Sequence, residues 1–443
     1  MYSPRTGCAL HGAIAALEEI NGVIPVVHSV MGCAVQNYLS NKNSGLLSAN
    51  ICGFELPSTN VMEKQVIFGG GSRLREQLKN TVKVLKGKLY VTLGSCESAM
   101  VGDDVAGMAR EAREEGRPVV ASDIAGFHGA VHHGYARVFK DLINSVGETS
   151  LKANDTDAPI INVFGVIPKN DIFFKGDIME IRRVLEGIGL TVNAFFGYAD
   201  GAAEIARIKN AALSVSFSKW GAYVADAAAQ AHGTPALKLP SIPMGYAAVE
   251  AFLMEVAKRT GVSDETADRF LRKEKEKCEY FANCAANEIL DVAAGKTVVI
   301  VGDESAALRY GGFITETFGA DIKATVITDR FLDEGGEIDA SGLGVVRFSS
   351  DQEEIAEIIK DSGADIALGS SLEREAAESI NAAELIISYP SDGGAILSKT
   401  HAGIEGAFTF TEDFLSAARQ AERRFNLNVR EGLTRGNVTH NIG

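Results

Sequence analysis

Thiols are the side chains of this sequence best equipped for chemistry, and three stand early in it, each beside glycine or serine. Cys8 lies in TGCALHGA, Cys33 in HSVMGCAVQNY and Cys96 in TLGSCESAMVGDD. A thiolate is a nucleophile and a soft metal ligand, suited to zinc or iron–sulfur centres rather than hard cations. One such cysteine alone would read as a small buried hydrophobe. Three, each at the edge of a secondary-structure element, read as ligands that meet in space although they are far apart in sequence. Helix N-termini nearby favour the thiolate, the form that binds iron.

The elements that must bring them together are legible as alternating strands and helices. PVVHSV (25–30), KLYVTLGS (88–95) and PVVASD (118–123) read as buried parallel strands. Cys8 opens an apolar helix, Cys33 follows the first strand, and Cys96 ends the second. The last two therefore fall at the carboxyl edge of a parallel sheet, where doubly wound folds place their ligands. After the polar linker KANDTDAP, a second series runs through APIINVFGV, LTVNAFFG, AALSVSFS and PALKLP. The charged helical segment SDETADRFLRKEKEKCEYFANCAANEIL leads to a third series, KTVVIVG, IKATVITD, GVVRFSS, ADIALGSS and LIISYP. Glu405 to Arg424 reads as a closing helix. The expected fold is α/β, with three Rossmann-like domains at 1–155, 156–290 and 291–443, each a mostly parallel sheet flanked by helices.

A length of 443 residues suits two to three domains, and apolar content of 46% can fill their cores. The net charge of −15 argues against nucleic acid, which needs clustered Lys and Arg, and reads foremost as solubility. The first apolar run is broken by Glu18 and Glu19 and lacks a basic start, so no export signal is expected. No run of roughly twenty uncharged apolar residues predicts a membrane span. A cytoplasmic chain follows, in which thiols stay reduced and serve as ligands, catalytic groups or core filler rather than disulfides.

Read together, the spacing of Cys8 and Cys33, HSVMGC, VIFGGGSRLREQLKN and TLGSCESAMVGDDV resemble the nitrogenase component 1 superfamily. The similarity is to its β-type subunit and covers nearly the whole chain. PVVHSVMGC resembles that family's His-Gly-Ser-Gln-Gly-Cys segment, and CESAMVGDDVAGM its Cys-x-x-x-hydrophobic-Gly-Asp-Asp segment. LPSIPMGYAAVEAFLMEVAKRTG resembles its Pro-Ile-Gly helix, and SYPSDGGAILSKTHAGIEGAF its closing segment.

The resemblance implies that Cys8, Cys33 and Cys96 are the β-side ligands of a P-cluster of [8Fe-7S] type. That cluster would be shared with an α-type subunit in an α2β2 heterotetramer. Electrons would come from a homodimeric ATP-dependent iron–sulfur reductase protein. The catalytic iron–sulfur cofactor would sit on the α-type partner, leaving this chain without catalytic residues. Where a family serine can bind the oxidised cluster, this chain reads ASDIAGFHG, which makes Asp123, beside Ser122, a candidate oxygen ligand. LSVSFSKWG offers Ser216 and Ser218 in place of the α-type cofactor cysteine, and His401 fits the β-type ending. The first motif begins at residue 8, without a long N-terminal arm, and SVMGC replaces Gly-Ser-Gln-Gly-Cys. These departures resemble a nitrogenase-like reductase, with methylthio-alkane reductase leading. A dinitrogenase β subunit and a metallocluster assembly scaffold are the alternatives.

VIF reads as the end of an apolar strand, and the Gly69, Gly70 and Gly71 that follow resemble the family's structural turn, in which they allow positive φ and close packing and Ser72 caps the next helix. A phosphate loop would carry Lys with Ser or Thr after the glycines, and none stands there. Gly302 stands alone after its strand, which suits a plain strand-to-helix turn better than a dinucleotide site. His28 is placed to donate to a cluster sulfur. His128 and His132 stand i and i+4, but glycines 126, 129 and 134 argue against a helix, so hydrogen bonding near the cluster is expected. Asp103 and Asp104 are expected to serve helix geometry or a subunit contact. Cys52, Cys278 and Cys284 read as packing residues, the last two on different faces of one helix.

Overall fold

The computed structural model describes the chain except residues 1–4, 6, 43–55, 150, 153–157, 199, 331–337 and 439–443, with the backbone alone for 41–42 and 425–438. Apolar runs become strands because helices cover both of their faces. All six residues of Leu89–Gly94 and all five of Ile160–Phe164 are buried. The first sheet holds β1 (Val23–His28), β2 (Leu89–Gly94) and β3 (Val119–Asp123) in that order. The second holds β4 (Ile160–Phe164), β5 (Thr191–Asn193), β6 (Leu213–Ser216) and β7 (Ala236–Lys238), ordered β5-β4-β6-β7. The third holds β8 (Thr297–Gly302), β9 (Asp321–Ile327), β10 (Val345–Phe348), β11 (Ile366–Gly369) and β12 (Ala383–Ile386), ordered β10-β9-β8-β11-β12. Every pairing among these strands is parallel, as the three expected series require.

The helices of the first unit are α1 (Ala9–Glu18), α2 (Met31–Lys42), α3 (Glu63–Phe68), α4 (Gly71–Val84), α5 (Cys96–Val101), α6 (Val105–Glu114) and α7 (Val131–Asn144). Helices α1 and α7 cross at backbone distance. A Cβ on Gly134 would lie 1.8 Å from the Ala9 carbonyl oxygen, and one on Gly12 would lie 2.0 Å from that of Val131. This crossing fixes the start of α1, and with it Cys8, against the turn that precedes α7. One continuous apolar core then runs from α1 and the first sheet through Tyr135 and Phe139 to Phe164, Phe195 and Phe217 of the second unit. The third sheet has separate apolar clusters on its two faces.

Buried polar contacts join the third unit to the second. Arg309 donates to Asp177 Oδ2 at 2.8 Å, while Asp177 Oδ1 accepts from Thr400 Oγ1 at 2.7 Å, His401 N at 2.8 Å and Ala402 N at 3.0 Å. The sequence boundary at 155/156 lies outside the described residues. The boundary at 290/291 falls inside a π-helical turn, Ile289–Ala293.

Three local expectations change. VIF ends α3 rather than forming a strand: among the described residues no sheet edge receives it, and Met62 N bonded to Gln65 Oε1 at 3.0 Å starts a helical turn. Ser72 lies within the first turn of α4, and Gly70 takes the N-cap without a side-chain bond. The glycine turn does receive a carboxylate, but at Gly70 and from the chain itself. Gly70 N–H donates to Asp103 Oδ1 at 2.7 Å, and a Cβ at Gly70 would lie 2.6 Å from Asp103 Oδ2 and 2.7 Å from His28 Cε1. The helix doubted around His132 also forms, because Gly134 is the small residue its crossing with α1 demands.

Candidate metal centre

Each of the three thiols is placed by the end of a different helix. Cys8 has extended backbone as the N-cap of α1, and Ala9 N–H donates to Gly129 O at 2.8 Å, tying that end to the turn after β3. Cys33 lies in the first turn of α2, just past β1. Cys96 is the first residue of α5, just past β2, where Ser95 N–H donates to Ser98 Oγ at 2.7 Å. All three cysteines are partly exposed.

Gly126 joins two of them. Its N–H donates to Cys96 Sγ at 3.1 Å, and a Cβ on it would lie 3.1 Å from both Cys96 Sγ and Cys8 Sγ. Those two sulfurs therefore flank one point on the turn, which only glycine fits. His11 joins Cys8 to Cys33: its Nδ1 lies 3.0 Å from Cys8 Sγ and its Nε2 lies 3.2 Å from Cys33 O. A carbonyl only accepts, so Nε2 carries the proton, and Nδ1 of the neutral ring accepts from the Cys8 thiol. Sequence reasoning missed His11. Its signal was the i, i+3 spacing from Cys8 at the start of an apolar helix, which puts both on one face.

Burial raises the Cys8 thiol, and burial lowers His11, keeping the imidazole neutral. Cys33 is pushed up to about 11 by burial first, then by the Glu97 carboxylate and by Cys8, with a smaller contribution from Cys96. A soft metal would therefore have to displace protons to bind. Among the described residues no three His, Cys, Asp or Glu side chains converge on a single-ion position. The donor chemistry, thiols from separate elements with two of them beside one turn and an N–H aimed at one sulfur, fits a polynuclear iron–sulfur group whose sulfurs bind different irons.

The remaining candidates divide clearly. Asp123 is exposed at the end of β3, and a Cβ on Gly94 would lie 2.6 Å from its Oδ1, so it stands beside the approach to Cys96. Ser122 is buried and its hydroxyl donates to Asp141. His28 does not reach the thiols. It is fully buried, its Nδ1 is 2.9 Å from Thr59 Oγ1 and its Nε2 is 2.9 Å from Asp103 Oδ2, so both ring nitrogens are engaged. Asp104 caps α6 through Gly107 N–H at 2.7 Å, as expected of a helix-forming role.

His128 is exposed in the 3-10 turn Gly126–His128. His132 is buried against Trp220, with Nε2 3.6 Å from Asp303 Oδ2, so it faces the third unit instead of the thiols. His401 is buried between Tyr310 OH at 2.9 Å from Nδ1 and Asp413 Oδ2 at 2.9 Å from Nε2. Ser218 caps the helix Lys219–His232, accepting from Gly221 N–H at 3.1 Å, and Ser216 is buried in β6. Asp303 caps the helix after Gly302 by accepting from Ala306 N–H at 2.7 Å, which fills the turn read as a plain one. Cys278 and Cys284 both border an apolar groove, and Cys52 lies outside the described residues.

The elements that carry the thiols also carry exposed apolar side chains. Met31, Val35 and Leu39 form an i, i+4, i+8 stripe on α2; Ile67 and Phe68 end α3; Met100 and Phe127 stand out from α5 and the Gly126 turn. Phe68 is 80% and Met100 81% exposed, values suited to a surface that another protein covers.

Fold and site together define a doubly wound α/β protein of three parallel sheets, with three thiols at helix starts by the carboxyl edge of the first. The chain belongs to the nitrogenase component 1 type oxidoreductase family, whose model matches residues 8–419. It is 23% identical over 340 residues to the nitrogenase molybdenum-iron protein beta chain of Bradyrhizobium diazoefficiens, covering 71% of this chain and 62% of that one. It is 24% identical over 311 residues to the alpha chain of Methanothermobacter thermautotrophicus, covering 65% and 64%. The chain thus spans somewhat under two thirds of the length of these relatives. A solved structure described as nitrogenase Cp1 at pH 6.5 superposes with a TM-score of 0.76 at 17% identity, covering 96% of this chain and 94% of that one, which establishes the shared fold. No described helix is long and apolar enough to cross a membrane.

Proposed function

We propose that the chain is the β-type, electron-relay subunit of a nitrogenase-like reductase. The observation that supports this reading is the approach of Cys8 Sγ and Cys96 Sγ to the one Gly126 turn, with the start of α2 at Cys33 tied to Cys8 through His11, beside exposed apolar residues. In it the three thiolates hold the β-side irons of a P-cluster shared with an α-type subunit. When bound, such a cluster supplies one-electron storage and transfer. Gly126 N–H orients the Cys96 sulfur, His11 holds Cys8 and the start of α2 in register, and Asp123 is a candidate oxygen ligand at the rim. The apolar surface on α2, α3 and α5 is what an α-type subunit and a homodimeric ATP-dependent iron–sulfur reductase protein would cover in an α2β2 assembly. The catalytic iron–sulfur cofactor belongs to the α-type partner in this reading, since both nitrogens of His401 are engaged and Ser218 serves as a helix cap.

Within that role, reduction of methylthio-alkanes by cleavage of a carbon–sulfur bond is the leading reaction. Dinitrogen reduction is the alternative, supported by similarity to molybdenum-iron protein chains. Similarity to the cofactor biosynthesis protein NifE of Rhizobium meliloti, 26% over 191 residues, supports the assembly-scaffold reading. Anaerobic co-purification with the α-type subunit, iron counting, electron paramagnetic resonance and turnover of a thioether or dinitrogen test the proposal. Cys96→Ala should abolish substrate reduction while ATP hydrolysis by the reductase protein partly persists. A preparation with zinc or no metal at the thiols, or a Cys96→Ala complex with wild-type turnover, rejects the relay. Transfer of the cluster to an acceptor protein without turnover supports the scaffold instead.

A further inference from the structure

A small cavity of about 50 Å³ lies beside α1, where Arg5, Gly7, α2, the loop after β4 and Tyr389 of the third unit come together. Its wall carries donor side chains: Arg5, Asn37, Lys169, Asn170 and Tyr389 border it, beside the His11 ring. Among the described residues no carboxylate lines it, and its charged side chains are basic, although the whole chain carries −15.

Two features mark it as a built site. Arg5 is only 6% exposed, and its Nε has no hydrogen-bond partner, although its Nη2 donates to Gln352 Oε1 at 3.0 Å and pairs with Glu373. A buried guanidinium N–H left without an acceptor is costly and rarely retained without reason. Lys169 holds φ at +68°, a left-handed conformation that L side chains avoid, which turns the loop of residues 167–170 onto the cavity. The neighbouring carboxylates stand behind the wall: Glu18 takes Lys169 Nζ at 2.7 Å and Asn37 Nδ2 at 2.7 Å, and Asp303 takes Asn170 Nδ2 at 2.8 Å. None of these pairings satisfies Arg5 Nε.

We propose that this cavity is a binding site for one small anion, a carboxylate or oxyanion of roughly three to five heavy atoms, the room left by a volume a few times that of one water. Its acceptor oxygens complete Arg5 Nε and share Lys169. The site does not depend on iron at the thiols, so it stands or falls separately from the relay.

The test uses the full chain with its co-purified subunit. Formate, bicarbonate and inorganic phosphate are titrated against chloride at constant ionic strength, followed by thermal unfolding and by ¹³C line broadening of labelled formate. Saturable binding of at least one oxyanion, absent with chloride, is expected; formate or bicarbonate without phosphate identifies a carboxylate-sized site, and phosphate an inorganic oxyanion site. Ala15→Leu fills the cavity from α1 without changing charge, and Lys169→Gly removes the ammonium while accepting the same φ. Lys169→Gly should weaken binding at least about tenfold, the loss of one charge-assisted contact, and Ala15→Leu should weaken it at least as much by occupying the anion's room. No saturable response to any of the three anions means that the cavity holds water only and overturns the proposal. So does binding that both variants leave unchanged.

Discussion

Gly126→Ala tests the geometry of the thiol gap most directly. The added methyl carbon would sit 3.1 Å from Cys8 Sγ and 3.1 Å from Cys96 Sγ, with Cys8 Cβ at 3.4 Å. An unstrained carbon–sulfur contact is longer by roughly half an ångström, so relief requires both sulfurs or the turn to move by a few tenths of an ångström. Overpacking of this kind costs about 1–3 kcal/mol, and for a domain of this size about 1 kcal/mol lowers Tm by roughly 2–4 °C. The fold should therefore survive with a Tm only several degrees lower. Metal ligation tolerates deviations of only about 0.2 Å, so iron content should fall much further than stability. The assay is iron per chain in the anaerobically co-purified complex, with circular dichroism as the measure of folding. Gly32→Ala is the control: it adjoins Cys33, yet a Cβ there meets only Val30 Cγ2 at 4.0 Å, and iron should be retained. Wild-type iron and an unchanged paramagnetic spectrum in Gly126→Ala would refute the placement of the two sulfurs at this turn.

Cys278→Ala should leave iron content and turnover unchanged, because Cys278 borders the groove beside the helix Asp264–Glu288 rather than the thiol gap; loss of iron in that variant would contradict the site. Asp177→Ala should destabilise the chain by about 3–5 kcal/mol, read in denaturant unfolding, because it strands buried Arg309 and three donors near His401. Burial raises the Asp171 carboxyl to about 7, assisted by Asp177 and opposed by Arg309. The folded state therefore holds a proton that the unfolded chain releases near pH ~4, so the stability from Asp171 is lost as pH rises from about 4 through about 7. Asp171→Asn should flatten that part of the pH–Tm curve, and an unaltered slope would show that Asp171 is not its source.

Much of the fold was legible because parallel strands buried on both faces must be continuous apolar runs, and Leu89–Gly94 and Thr297–Gly302 are such runs. VIF misled for the same reason. Three apolar residues in a row look like a strand, but here Val66, Ile67 and Phe68 face outward on a short helix. Gly69 to Gly71 were read as allowing positive φ and close packing, and Gly126 and Gly134 as helix breakers, whereas Gly70, Gly126 and Gly134 matter for what they leave room for: Asp103 and His28, two sulfurs, and the backbone of α1. His28 misled by proximity in sequence. It precedes Cys33 closely, yet strand alternation sends its ring to Thr59 and Asp103.

The sequence by itself determined the layer architecture, the three thiols and their places at element ends, since these follow from local periodicity and residue type. Tertiary structure alone decided which groups attend the thiols: His11 bridging Cys8 to the start of α2, the Gly126 N–H on Cys96, and the withdrawal of His28, His132 and His401 into internal pairs. Which hydrogen-bond partner a side chain finds depends on where distant segments cross. That is set by packing over the whole core, which no local pattern encodes.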